Sequence, residues 1–316
     1  MAFGCGSSHA VVAQPSPVIE DPTVSCPADI AVTAHSGQTP TVSFDTPSAL
    51  NGSAPVTVVC TPASGTPFGN GTTVTCEATD SRAHKASCRF DVVVTPVPQL
   101  SKTRFLAFGD SITEGKTALL APSILTVPPG TFNASGSYPE LLNAKLSTRY
   151  QDQTITMVAY GLGKEQAGEG KLRLRDGWAS FNPDSLLLLE GVNDLTLPDS
   201  NTPAGMASAI DSVIDALRAD ISVAKGHGAR TYLATLLPMT PPLGANVVAA
   251  VPTLNGRIRS LAVEQGVTLV DLNAAVPASL IGADGIHPKS QAYDIMADEW
   301  LKAIIATLEV KASSLP

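Results

Sequence analysis

Aromatic residues are scarce in this chain, at 5% of 316 positions, and charged residues reach only 15%. A sequence so poor in aromatics does not advertise a stacking platform for bases or sugar rings. Basic residues are outnumbered: 20 Lys and Arg stand against 28 Asp and Glu, a formal net charge of −8. Phosphate backbones are bound by basic surfaces, so nucleic acid is not an expected partner. Long apolar runs are missing as well. "SLLLLEGV" and "NVVAAV" fall far short of the ~18 residues of a membrane span, so no segment is expected to cross a bilayer. Cysteine is absent beyond Cys88. No CxxC or HxxxH spacing occurs, which disfavours a zinc site.

What cysteine there is lies at the front, as Cys5, Cys26, Cys60, Cys76 and Cys88. The last four sit in a short Thr- and Val-rich stretch and read as two disulfides formed in an oxidising compartment. Three pairings are possible, and spacing does not choose among them. Cys5 lies in "MAFGCGSSHA". Small residues before it and a Gly/Ser tether after it resemble the end of a bacterial lipoprotein signal, with Met1–Gly4 as a remnant. The other reading is a thiol in a disordered tail. The expected location is secreted, extracellular or periplasmic, with lipid anchoring through Cys5 as one form.

The chain is 44% hydrophobic, and its length suits roughly two domains. Residues 1–22 read as a tail. In residues 23–95, "IAVTA", "TVSF", "VTVVC", "TTVTC" and "RFDVVV" alternate apolar and polar positions between Gly and Pro punctuation. That is the pattern of a small β-sandwich. "CPADIAV", "VVCTPASGTPFGNGTTVTCEATD" and "ASCRFDVVV" resemble the hyalin repeat (HYR), an immunoglobulin-like extracellular module. The resemblance implies adhesion or spacing, and a cell-surface or polysaccharide partner. Residues 96–101 read as a stiff linker.

Residues 102–316 change character. Strand-like "TRFLAFG", "QTITMVAY", "DSLLLLEG", "RTYLATLLP" and "VTLVDLN" alternate with helical stretches at 138–149, 167–175, 203–225, 246–265 and 289–308. Near-continuously apolar strands alternating with helices predict an α/β fold, a parallel sheet covered on both faces. Ligands of such sheets bind beyond the carboxyl ends of the strands.

Four polar signals follow those strand ends. Ser111 in "FGDSIT" stands where the first strand turns into a helix, as a nucleophile or as a plain helix cap. "YGLGKEQAGEG" follows the second strand, and its glycines allow close backbone approach. It lacks the spacing of the phosphate and dinucleotide loops. Asn193 in "EGVNDL", after the third strand, can donate to an oxyanion or cap a turn. "DGIHP" places Asp284 three residues before His287, so that the carboxylate can orient one imidazole nitrogen while the other faces the crevice. Of the other histidines, His9, His35 and His84 lie in the front part. His227 in "KGHGAR" reads as a helix-terminating residue. Asp271 is the rival acid.

The order Ser, Gly, Asn, Asp-x-x-His resembles the SGNH, or GDSL-type, esterase and lipase superfamily. "GDSIT", "GVND" and "DGIHP" match three of its four blocks, over residues 102 to 308. The resemblance implies a flavodoxin-like three-layer α/β/α domain acting as a serine carboxylic-ester hydrolase without cofactor or metal. It assigns Ser111 as nucleophile, His287 as base and Asp284 as the acid orienting it. Asn193, with the backbone N–H groups of Ser111 and Gly163, would form the oxyanion hole, with Gly161 behind Gly163. The glycine block departs from the family pattern: Ala159 or Tyr160 replaces its initial Asn, and the donor glycine aligns at Gly163 or Lys164. The insert 116–137, rich in Leu and Pro, reads as a wall for an acyl pocket, the other reading being that it packs onto the sheet. A short- to medium-chain acyl ester is the expected substrate, with polysaccharide acetate as the alternative. The rival from another class is a non-catalytic surface adhesion protein.

Overall fold

The computed structural model describes residues 19–35, 38–116 and 136–310. Cys5 and most of the 116–137 insert therefore lie outside the described residues. The chain divides between Pro96 and Val97 into two compact units.

In the front unit, strands β1 (Ile30–Ala34), β2 (Thr57–Thr61), β3 (Thr72–Thr79) and β4 (Lys85–Pro96) form one sheet in the order β1-β4-β3-β2. Alternate residues of β4 point inward, so Phe90, Val92 and Val94 are buried with Val42, Phe68 and Val74. The Phe44 ring meets Phe90 edge-on at 5.0 Å. Sheet register places Cys76 opposite both Cys60 and Cys88. Cys60 bonds to Cys76, and Cys26 reaches Cys88. These two bridges leave none of the four thiols free to bind a metal.

The second unit is built on a five-stranded sheet, β5 (Arg104–Gly109), β6 (Thr156–Gly161), β7 (Ser185–Leu189), β8 (Arg230–Ala234) and β9 (Thr268–Val270), in the order β6-β5-β7-β8-β9. Every neighbouring pair is parallel. Parallel strands need crossover connections, and helices α1 (Ser111–Glu114), α2 (Tyr138–Arg149), α3 (Ala167–Phe181), α4 (Pro203–Gly226) and α5 (Ala245–Gln265) supply them, while α6 (Leu272–Ala275) and α7 (Ser290–Leu308) follow the last strand. Helix α2 packs on α7, and α3 on α4 and α4 on α5. With helices on both faces, all five residues of central β7 are buried. The core is aliphatic, with Trp300 stacked on Tyr138 at 5.9 Å.

Two boundaries in the second unit differ most from the sequence reading. Helix α3 runs six residues past Arg175, to Phe181. Asp176 and Gly177 look like a stop, yet Tyr160 lies where a side chain on Gly177 would be, its hydroxyl 3.0 Å and its ring 3.2 Å from a Cβ there. Strand β8 ends at Ala234, not at Pro238. Buried Asn255 of α5 exchanges two hydrogen bonds with the backbone of Leu236 (2.8 and 3.0 Å), replacing the strand ladder.

The Cys26–Cys88 bridge closes a separation of 62 residues. Loop-closure entropy of that size is worth about 4 kcal/mol. Replacing both cysteines by alanine should therefore unfold the front unit at much lower urea. All Trp and Tyr residues lie beyond residue 137, so far-UV circular dichroism should gain an early transition that Trp fluorescence lacks. A single unchanged transition in both signals would contradict this.

Candidate active site

Parallel order brings the carboxyl ends of β5, β6 and β7 side by side, and three of the sequence signals follow those ends. After β5, Asp110 is the residue that caps α1. Its Oδ1 accepts the Ile112 N–H at 2.9 Å. Ser111 is thus relieved of capping and holds its hydroxyl at the start of the helix, 5% exposed.

The loop before α7 supplies the partners. His287 Nε2 lies 2.9 Å from Ser111 Oγ, and its Nδ1 lies 2.6 Å from Asp284 Oδ2. Asp284 Oδ1 accepts the backbone N–H groups of Ile286 and His287, both at 3.0 Å. Burial pushes the Asp284 carboxyl up, but the His287 ring and these two amides outweigh it and hold the group below its ordinary value. It stays ionised opposite the ring. Gly285 between them has φ +79°, and a Cβ there would sit 2.1 Å from the Thr240 carbonyl oxygen. The loop therefore requires glycine at that step. Tyr293 of α7 donates its hydroxyl to the Lys116 carbonyl at 2.5 Å, while the Lys116 N–H donates to the Ser111 carbonyl at 3.0 Å. The serine turn is thereby tied to the helix that follows the histidine loop.

Asn193 follows β7. Its side chain does not cap the short helical turn that starts after it. Instead Nδ2 donates to the Glu165 carbonyl at 2.8 Å. Because a carbonyl can only accept, this contact sets which end of the amide is NH₂ and leaves its second N–H available. Gly161 ends β6 tight against α1, where a Cβ would lie 2.2 Å from Glu114 N. Gly163 lies further along, beside the Glu114–Lys116 ion pair of 2.8 Å. Lys164 takes φ +70°, a left-handed conformation that usually favours glycine. Among the described residues, neither the Gly163 nor the Lys164 N–H donates to a backbone carbonyl.

The other sequence candidates lie elsewhere. Asp271 is held by Arg259 through two hydrogen bonds of 2.9 Å and by Thr235 at 3.0 Å. His227 ends α4, stacked on Trp178 at 5.3 Å.

The chain matches the GDSL-like lipase/acylhydrolase family over residues 107–295. It belongs to that family. The front unit matches the HYR domain over residues 19–94. As a GDSL-family acylhydrolase, the protein is a carboxylic ester hydrolase. No curated protein matches the chain significantly. Solved structures share the fold. An α/β hydrolase from the metagenome of Lake Arreo, Spain, is 21% identical with a TM-score of 0.53, over 65% of this chain and 95% of that one. An acetylxylan esterase from Geobacillus stearothermophilus is 20% identical with a TM-score of 0.50, over 65% and 94%. A gut microbial diltiazem-metabolizing enzyme is 21% identical with a TM-score of 0.53, over 66% and 48%.

Sequence reasoning missed the charges behind this acylhydrolase's crevice. Asp110, Glu165, Glu190 and Asp194 are all buried. Burial, reinforced by Asp194 and Glu165 against the pull of the Ile112 N–H, raises the Asp110 carboxyl from 3.8 to about 7. Burial also lifts Asp194 to about 6 and pushes Glu190 well above its ordinary value. Arg173 of α3 stands among them. The available signal was its place on the helix: it falls three residues after Gly170 on the face that buries Ala167, Gly170, Leu174 and Trp178.

A carboxyl whose folded value is raised contributes its full stability below the ordinary carboxylate range and loses it as pH rises through about 7. Asp110→Asn keeps an oxygen for the Ile112 N–H but cannot ionise. Between about pH 4 and about pH 7 the variant should lose less stability than wild type, by a few kcal/mol, in urea unfolding followed by Trp fluorescence. Equal pH slopes would refute the burial account of Asp110.

Proposed function

We propose that this acylhydrolase cleaves short- to medium-chain acyl esters by two-step acyl transfer through Ser111. The observation that carries the reading is the unbroken hydrogen-bonded chain from Asp284 through His287 to Ser111. Ser111 Oγ attacks the ester carbonyl carbon as His287 Nε2 takes its proton. Asp284 at Nδ1 keeps the imidazole in the tautomer that leaves Nε2 free to accept, and stabilises the imidazolium that forms. The free N–H of Asn193 and the backbone N–H groups of Ser111 and Gly163 receive the oxyanion, with Gly161 holding the loop behind them. Collapse expels the alcohol, which takes the proton from His287 Nε2. Water then attacks the acyl-enzyme by the same base and releases the acid.

The alternative substrate is acetate on a polysaccharide. The front unit favours it, because an HYR module is suited to holding an enzyme against a cell-surface or polysaccharide partner. The acetylxylan esterase that shares the fold acts on a substrate of that kind. Two disulfides accord with a secreted or periplasmic location, with or without a lipid on Cys5. No helix of the described residues is long and apolar enough to cross a membrane.

A serine-directed fluorophosphonate should label wild type at Ser111, and Ser111→Ala should abolish p-nitrophenyl ester hydrolysis with unchanged circular dichroism. Retained hydrolysis would remove the nucleophile assignment. Asn193→Ala should lower kcat roughly 10²–10³-fold; an unchanged kcat would make the residue structural. Comparing acyl chain lengths beside acetylated xylan separates the two substrate readings.

A further inference from the structure

Arg173 lies behind the crevice and makes an unusual number of directed contacts. Its Nη1 donates to the Tyr160 carbonyl at 3.0 Å and its Nη2 to the Gly109 carbonyl at 3.2 Å. These are the last or next-to-last residues of β6 and β5. The guanidinium carbon lies 4.2 Å from the centroid of the Phe108 ring and 4.1 Å from that of Tyr160. Cation–π contact and two carbonyl acceptors fix the plane of the group. From that fixed plane Nε donates to Glu165 Oε1 at 2.6 Å, and Nη2 donates to Glu165 Oε2. The pair is bidentate, with Glu165 buried and Arg173 partly buried, a geometry that holds a carboxylate in direction as well as distance.

Glu165 in turn carries the carbonyl that accepts from Asn193 Nδ2 at 2.8 Å. It also ends the short turn holding Gly163 and Lys164, donating its N–H to Leu162 at 3.3 Å. We propose that Arg173 is a positioning residue: anchored on the ends of β5 and β6, it locks Glu165, whose carbonyl aims the Asn193 amide at the developing oxyanion. The inference rests on the oxyanion role proposed for Asn193. A sub-ångström drift of Glu165 would turn the amide away from the reacting oxygen, and misplacements of about 1 Å can cost roughly 10²-fold in rate.

Removing Arg173 outright would leave Glu165 as an unpaired buried charge, so the first variant is Arg173→Lys. A single ammonium retains the charge but cannot serve two carbonyls and both carboxylate oxygens. Steady-state hydrolysis of a p-nitrophenyl ester should give a kcat lower by roughly 10–100-fold with KM within about threefold. The same substitution in an Asn193→Ala background should cost less than about threefold, because the group it positions is gone. Wild-type kcat in a folded Arg173→Lys would overturn the proposal, as would an undiminished loss in the Asn193→Ala background. Should Arg173→Lys fail to fold, the double variant Arg173→Met, Glu165→Gln removes both charges together and is judged by the same two comparisons. Failure of the underlying reading would be seen separately, with Arg173 intact, as activity retained in Ser111→Ala or full kcat in Asn193→Ala.

Discussion

The hydrogen bond from Ser111 Oγ to His287 Nε2 spans 176 residues of chain, and much of the second unit is arranged around it. Neither partner can be held by its own loop alone. Ser111 is set by the Asp110 cap and the end of β5, and His287 by Asp284 and the glycine that lets the loop pass under Thr240. Tyr293 joins the two by grasping the chain just after the serine helix. A parallel sheet makes this possible, since every strand delivers its carboxyl end to the same edge.

That arrangement has an electrostatic cost. Asp110, Glu165, Glu190 and Asp194 are buried close behind the crevice, with the Arg173 guanidinium set against Glu165. Burial favours the neutral form of carboxyls that lack a cation, which is why Asp110, Glu190 and Asp194 all move upward. The two acids with dedicated partners do different work. Asp284 is kept ionised beside His287. Glu165 shapes the loop between the glycines and Asn193.

The front unit solves a different physical problem. A module this small buries a limited core, and its Phe and Val residues are few. Two disulfides supplement that core. So does Asp80, whose buried carboxylate accepts the N–H groups of Ser53, Arg82 and His84 at 2.9–3.0 Å.

The alternation of strands and helices was written in the sequence, because each element's hydrophobic period is local. "SLLLL", a short apolar run between helical stretches, reads as a strand buried on both faces, and the start of α2 at Tyr138 follows from Pro139 in its first turn. The blocks around Ser111, Asn193 and His287 were legible for the same reason, each being a short loop with a distinctive composition. Tertiary structure alone decided the disulfide pairing, since register sets Cys76 beside two possible partners. It also decided that Asp110 and not Ser111 caps α1, that Asp271 is occupied by Arg259, and that an arginine on α3 reaches the ends of two strands. These are contacts between residues far apart in the chain, and their geometry exists only once the sheet has brought the strand ends together.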